Sequence, residues 1–170
     1  MRKTLPGDDR GVVADDIRPA MLFTDAGARG NPGPAAIAYR LFDADDNLLE
    51  ARAELVGTRT CNEAEYEALI AGLRACARLK IAVVRVVSDS ELMVRQLNGE
   101  YRVKSSALTP RFDEVRNLLR EGFAYARVEH RRRNDPQLSA CDQMVNGVLD
   151  AAGFPKKPPH FFRRRAVRSR

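Results

Sequence analysis

The stretch MLFTDAGARGNPGPAAIAYRLF (residues 21–42) decides the fold, because it predicts two antiparallel strands joined by a tight turn. Its first apolar run stops at Asp25, which is typical of a central strand. Gly-Asn-Pro-Gly at 30–33 can continue neither a strand nor a helix, so the chain reverses there. A third strand, LLEARAELV (48–56), follows a second turn. Residues 20–56 are therefore predicted to form a three-stranded antiparallel meander.

Helical and strand patterns alternate through the rest of the chain. Helices are predicted at 62–79, 90–99, 109–122 and 139–152, and strands at 82–88 and 123–130. Ser90 is a candidate cap for the second of these helices. Antiparallel strands followed by strand–helix crossovers predict an α/β fold with a five-stranded mixed sheet, in which three antiparallel strands precede two parallel crossovers, flanked by helices.

Composition and charge divide the chain into three parts. Residues 1–19 mix Pro, Gly and Asp with little periodicity and are interpreted as a mobile leader. Residues 20–154 are predicted to form one domain, which is close to neutral. The net charge of +6 therefore arises mainly from residues 155–170, a basic tail with seven Lys and Arg and no acid. Such a tail either attracts phosphates or simply keeps the protein soluble.

Several functional classes are excluded by the same survey. No apolar run approaches the roughly 18–20 residues that span a bilayer, and no apolar stretch follows the first basic residues, so neither a membrane span nor a secretory signal is expected. The three cysteines, Cys61, Cys76 and Cys141, lack paired or metal-type spacing. Reduced thiols and a cytoplasmic location are the simplest interpretation, with a monomer as the default.

Four acidic residues dominate the chain: Asp25, Glu65, Asp89 and Asp142. Each is predicted to lie where a strand ends or near where a helix begins. In mixed sheets ligands collect at the carboxyl ends of the strands, so all four can face one cleft. Hard divalent cations prefer oxygen ligands, and two such ions about 3.5–4 Å apart promote phosphodiester cleavage. The four acids therefore predict a metal site.

These motifs resemble ribonuclease HI, specifically its compact bacterial and archaeal branch, which lacks the basic protrusion of the longer enzymes. The matching segments span about residues 20–152 and read DAGARGNPG, NEAEYEALIAGL, SDSELMVRQLNG, YRVK and CDQMVN. Any one segment alone is a weak signal, but their order and spacing are specific. The resemblance implies an endonuclease that cuts the RNA strand of RNA·DNA hybrids and leaves 5′-phosphate and 3′-hydroxyl ends.

The same resemblance implies two Mg²⁺ ions, with Mn²⁺ as a possible substitute, and roles for the four acids. Asp25 would bridge both ions. Glu65 and Asp89 would hold the ion near the leaving 3′-oxygen, and Asp142 the ion that activates water. Asn134 lies eight residues before Asp142 where the family has about four, which predicts a longer or differently built loop before the last helix.

Substrate contacts are also implied by the resemblance. Gly30, Asn31 and Asn62 match positions that touch the groove of the hybrid, although Asn31 in a glycine-flanked turn can equally serve the backbone conformation. His130 is the one candidate for the mobile histidine of longer enzymes, and a solvated strand end is the favoured interpretation. Arg131, Arg132 and Arg133 are available where compact relatives place an arginine. The alternatives are a related nuclease that also cuts double-stranded RNA and a non-catalytic hybrid-binding module.

Overall fold

A computed structural model of the chain describes residues 18–156. Its elements are β1 Ala20–Ala28, β2 Gly33–Phe42, β3 Leu48–Arg59, α1 Cys61–Arg78, β4 Val83–Ser88, α2 Glu91–Leu97, α3 Thr109–Gly122, β5 Tyr125–His130 and α4 Pro136–Ala151. The predicted leader (1–19) and basic tail (155–170) lie almost entirely outside the described residues, so both stay predictions.

The strands form one mixed sheet in the order β3-β2-β1-β4-β5. β2 runs antiparallel to β1 and to β3, whereas β4 runs parallel to β1 and to β5. The predicted five-stranded α/β fold is therefore confirmed. This topology places β1 and β4 side by side at the centre of the sheet, where their apolar residues are covered on both faces.

Helices cover both faces of the sheet, and each face has its own apolar core. α1, α2 and α3 bury Leu69, Met93 and Val115 against Leu22 and Val86 of the central strands. On the opposite face, α4 packs on a second cluster. That cluster contains Phe23, Phe42, Val87, Leu138, Cys141, Val145 and Leu149. Within residues 18–156, no helix is long and apolar enough to cross a membrane.

Local sequence signals explain where the first helix begins. Thr60 is the N-cap of α1: its hydroxyl accepts a hydrogen bond from the Glu63 backbone N–H at 3.2 Å, and the Glu63 carboxylate accepts one from the Thr60 backbone N–H at 2.9 Å. This reciprocal capping box satisfies two backbone donors that the helix leaves free. It also fixes the direction in which α1 leaves β3, and therefore the position of Glu65 one turn later.

One predicted helix start and one predicted side-chain cap are wrong. α4 begins at Pro136 rather than Ser139, because the Asp135 carboxylate accepts hydrogen bonds from the backbone N–H groups of Gln137 and Leu138. Pro at the first helical position is pre-organised for such a start. Ser90 occupies the N-cap position of α2, but its side chain makes no capping hydrogen bond.

Candidate active site

Asp25 lies inside β1 rather than at its end, so the predicted strand boundary is wrong. β1 continues to Ala28 because its antiparallel pairing with β2 extends to Ala28 opposite Ala35. Its parallel pairing with β4 stops one residue before Asp25, at Thr24 opposite Ser88. Asp25 is thus the first residue of β1 that has no partner on β4, and the edge of β1 is open on that side.

Glu65 and Asp89 reach the same opening from neighbouring elements. Glu65 comes from the first turns of α1, and Asp89 follows β4 directly. Among residues 18–156, Asp25, Glu65 and Asp89 form a group whose ligand oxygens all lie within 4.8 Å of one another. The predicted convergence of these acids is therefore observed for three of the four.

Burial makes this acidic cluster unusual. Only 1% of Asp25 and 8% of Glu65 is exposed. Both carboxylate oxygens of Asp25 and Oε2 of Glu65 are buried and accept no hydrogen bond. A buried carboxylate without partners is strongly unfavourable, so these oxygens indicate that a cation belongs in the site.

The pKa values of the cluster reflect this environment. Burial, reinforced by the charges of Asp89 and Asp142, raises the pKa of Asp25 to about 7, against the lowering effect of Arg133. Burial also raises the pKa of Glu65 well above its usual value, with further contributions from Asp25 and Asp89. A bound cation would reverse this tendency, because it favours the ionised carboxylates.

Arg133, in the segment between β5 and α4, contacts three of the acids. Its Nε donates a hydrogen bond to Oδ2 of Asp89 at 2.7 Å. Its terminal nitrogens lie 3.6 Å from Oδ1 of Asp25 and 3.8 Å from Oδ1 of Asp142. Because 60% of the Arg133 side chain is exposed, this cation only partly offsets the negative charge of the cluster.

Asp142 lies in the second turn of α4 and is less buried than the other acids, with 29% of its side chain exposed. It lies next to Cys141, and Cys141 and Val145 of α4 belong to the same apolar cluster as Phe23 of β1. This part of α4 therefore lies against the strand that carries Asp25. The loop that was predicted to be longer or differently built spans residues 131–135, since β5 ends at His130 and α4 already begins at Pro136. Asp142 is outside the 4.8 Å group but borders it through Arg133.

Comparisons with known proteins agree on one family. The family model described as "Reverse transcriptase-like" matches residues 23–141. A ribonuclease HI from Halobacterium salinarum is 33% identical over 148 residues, which cover 86% of this chain and 73% of that protein. The chain belongs to the ribonuclease HI family.

Two further relatives support this membership. The crystal structure of LC11-RNase H1 in complex with RNA/DNA hybrid has a TM-score of 0.73 and 36% identity, and the match covers 78% of this chain and 98% of that one. The bifunctional protein Rv2228c of Mycobacterium tuberculosis is 32% identical over 133 residues, 78% of this chain but only 36% of that protein. The predicted family and the enzyme class, ribonuclease H, are confirmed.

The residues that were predicted to bind substrate, Gly30, Asn31 and Asn62, lie close to one another. Gly30 and Asn31 form the exposed tip of the β1–β2 hairpin, and Asn62 is exposed in the first turn of α1. The Asn31 side-chain oxygen accepts a hydrogen bond from the Cys61 backbone N–H at 3.0 Å. Asn31 therefore serves the architecture by tying the hairpin to α1, and a substrate contact stays a prediction.

His130 is exposed at the last position of β5. It lines a surface cleft with Glu91, Arg95 and Glu100 rather than the acidic cluster, which agrees with the interpretation as a solvated strand end.

Of the three arginines that follow His130, Arg133 is the one that contacts the acidic cluster. One site residue was missed: Asn146, whose Nδ2 donates a hydrogen bond to Oδ2 of Asp142 at 2.9 Å. Its position four residues after Asp142 on a helix was the available signal.

Proposed function

We propose that this protein hydrolyses the RNA strand of RNA·DNA hybrids by a mechanism that uses two divalent ions, Mg²⁺ by preference, and leaves 5′-phosphate and 3′-hydroxyl ends. The observation that carries this proposal is the group of three carboxylates within 4.8 Å, two of them buried. An acidic pocket of this kind repels a phosphodiester unless cations occupy it.

The residues fit hard divalent cations. Carboxylate oxygens are the ligands that Mg²⁺ and Mn²⁺ prefer, and the oxygens of Asp25 and Glu65 lack other partners. Asp25, Glu65, Asp89 and Asp142 are the residues that would hold the ions. When bound, a pair of such ions supplies a water of lowered pKa and neutralises the charge that develops on the leaving oxygen.

The chain itself contributes positioning and charge. Asp25 lies on β1 and Asp89 directly follows β4, so the two adjacent central strands position these carboxylates. Arg133 supplies a cation beside them on an exposed side chain. We expect Arg133 to turn from the acids toward a substrate phosphate once divalent ions are present, because a guanidinium pairs well with either anion.

Hybrid recognition is proposed to depend on groove shape. A-form-like helices display 2′-hydroxyls in a wide minor groove, so RNA is identified without base contacts. Gly30, Asn31 and Asn62 are exposed, and Asn31 is hydrogen-bonded to the start of the helix that carries Glu65, so their backbone and amide groups can meet such a groove. LC11-RNase H1, a relative with 36% identity, was crystallised with an RNA/DNA hybrid.

A cleavage assay tests the proposal. Labelled RNA·DNA hybrid, duplex RNA and duplex DNA are incubated with the protein, with Mg²⁺ or with EDTA. We expect Mg²⁺-dependent cutting of the hybrid's RNA strand, and loss of cutting in Asp89→Asn. Asp113→Asn, which changes an exposed acid of α3 outside the cluster, is the matched control and keeps full activity. Mass spectrometry of the fragments identifies the ends.

Each other outcome has a defined meaning. Hybrid cleavage that survives Asp89→Asn contradicts the assigned site. Hybrid binding without cleavage in any divalent metal indicates a non-catalytic binding module. Cleavage of duplex RNA at a similar rate indicates a nuclease of broader specificity.

The protein is also proposed to be a monomer. Size-exclusion chromatography tests this, and we expect elution at the volume of a monomer. The proposed cytoplasmic location is supported by three free cysteines.

A further inference from the structure

The side chain of Arg29 connects the β1–β2 hairpin to α4. Its Nε donates a hydrogen bond to the backbone oxygen of Phe154 at 2.9 Å, and its Nη2 donates to Oδ1 of Asn146 and to Oδ1 of Asp150, both at 3.1 Å. Only 15% of the Arg29 side chain is exposed. A mostly covered Arg29 side chain therefore contacts the helix that carries Asp142, although its partners Asp150 and Phe154 are themselves exposed.

The backbone at Arg29 is held firmly in the hairpin. Its N–H donates to the Pro34 carbonyl at 2.8 Å. A Cβ added at Gly33 would lie 2.4 Å from the Arg29 carbonyl oxygen, so the two sides of the turn are in close contact. The guanidinium thus extends from a fixed backbone, next to the hairpin tip at Gly30 and Asn31.

Asn146 is the link between Arg29 and the acid. Its Nδ2 donates to the Asp142 backbone oxygen at 2.8 Å and to Asp142 Oδ2 at 2.9 Å. Because arginine only donates and an ionised carboxylate only accepts, one orientation of the amide satisfies both neighbours. Its oxygen must face Arg29 and its nitrogen must face Asp142.

We infer that Arg29 and Asn146 are positioning residues for Asp142, and that they fix its carboxylate toward the acidic cluster while joining it to the substrate-binding hairpin. This inference rests on the proposed function. With Oδ2 held by Asn146, the other oxygen, Oδ1, points to Arg133 at 3.8 Å and so toward Asp25. Asp142 is the most exposed of the four acids, so packing restrains its side chain least and hydrogen bonds contribute most to its position.

A double-mutant cycle tests the inference. Asn146→Ala removes the donor to Asp142, Arg29→Gln weakens the orientation of Asn146, and Asp142→Asn provides the second background. Asp150→Asn is the matched control, since it removes a charged partner of Arg29 that is half exposed and does not contact Asp142. Two quantities are measured for each protein: kcat and KM on the hybrid, and Mn²⁺ affinity by calorimetric titration without substrate.

We expect Asn146→Ala to lower kcat about 10- to 100-fold, as is usual when the partner of a metal ligand is lost, with KM for the hybrid nearly unchanged. Mn²⁺ affinity should fall in parallel. Arg29→Gln should show a smaller loss of the same kind, and Asp150→Asn should behave as the wild type. In the Asp142→Asn background, Asn146→Ala should have no further effect on either quantity, because the two residues act as a unit.

Equal losses from Asn146→Ala in both backgrounds overturn the inference, since they would indicate general loosening of α4. An Asn146→Ala protein with wild-type kcat and Mn²⁺ affinity also overturns it. Thermal unfolding of each variant shows whether the fold is kept. If the wild-type protein does not cut hybrid at all, the proposed function fails, yet the Mn²⁺ titrations still decide whether Asn146 acts through Asp142.

Discussion

Asp25 illustrates how a single residue reconciles burial with function. A carboxylate on a central strand, 1% exposed and without hydrogen-bond partners, contributes nothing favourable to an apolar core. Burial raises its pKa to about 7, so without cations the folded protein favours the protonated acid below that pH. The position of Asp25 is therefore explained by cation binding rather than by a contribution to the stability of the core.

The first prediction concerns stability against pH in EDTA. The pKa of Asp25 is about 7 in the folded protein against 3.8 normally, so the folded state binds this proton more tightly. The resulting stabilisation is fully present below about pH 4 and is lost as the pH rises to about 7. We expect Asp25→Asn to exceed the wild type in unfolding free energy by about 2–4 kcal/mol at pH 8, and to match it near pH 4.

Urea denaturation of both proteins at several pH values measures this difference. Asp113→Asn serves as the control, because its side chain is exposed on α3. If the unfolding free energies of the wild type and Asp25→Asn differed by the same amount at every pH, the raised pKa of Asp25 would be contradicted. Saturating Mg²⁺ should narrow the gap at pH 8, since the ion stabilises the wild-type site.

At the scale of elements, helix starts determine where the outer acids lie. The capping box at Thr60 sets the start of α1, and the Asp135 cap sets the start of α4. In each helix the metal-site acid comes within the first two turns. A shift of the start by one residue would rotate that acid by about 100° around the helix axis, away from β1.

The second prediction tests the cap of α4. Asp135→Ala removes the acceptor for two backbone N–H groups and should lower the unfolding free energy by about 1 kcal/mol. Asp135→Asn keeps a capping oxygen and should be nearly neutral, although it loses the ion pair with Arg131 at 3.2 Å. Urea denaturation measures both. Equal losses would show that the ion pair, and not the cap, holds the start of α4.

At the scale of the whole molecule, charge is separated along the chain. The domain at 20–154 is close to neutral and presents an acidic cluster, whereas residues 155–170 are strongly basic. The acidic cluster repels phosphates, whereas the basic segment attracts them. The tail is therefore the part of the chain whose charge favours contact with any nucleic acid, and that contact should depend on salt.

The third prediction is that deletion of residues 155–170 raises KM for the hybrid and flattens its dependence on salt, while kcat stays close to the wild type. The deletion leaves Phe154, which accepts the Arg29 hydrogen bond. Each lost phosphate contact should reduce the salt slope by about 0.7–0.9. Steady-state kinetics between low and moderate salt measure this, and an unchanged KM throughout would assign the tail a solubilising role.

Much of the fold follows from local pattern. The hairpin turn at 30–33, the β-branched run of β4 and the Thr-Pro start of α3 are specified by neighbours in sequence, so they were predictable. Element ends were predicted less well. β1 runs past Asp25 because its length depends on β2, and α4 starts early because of a cap that periodicity does not report.

By itself, the sequence determined the order of elements, the family and the identity of the four acids, because residue types at fixed spacings carry that information locally. Only the tertiary structure decided which of these acids meet within 4.8 Å, that Arg133 rather than its neighbours contacts them, and that Arg29 reaches Asn146 across the fold. Those contacts join residues far apart in the chain, and their distances depend on how the helices pack on the sheet.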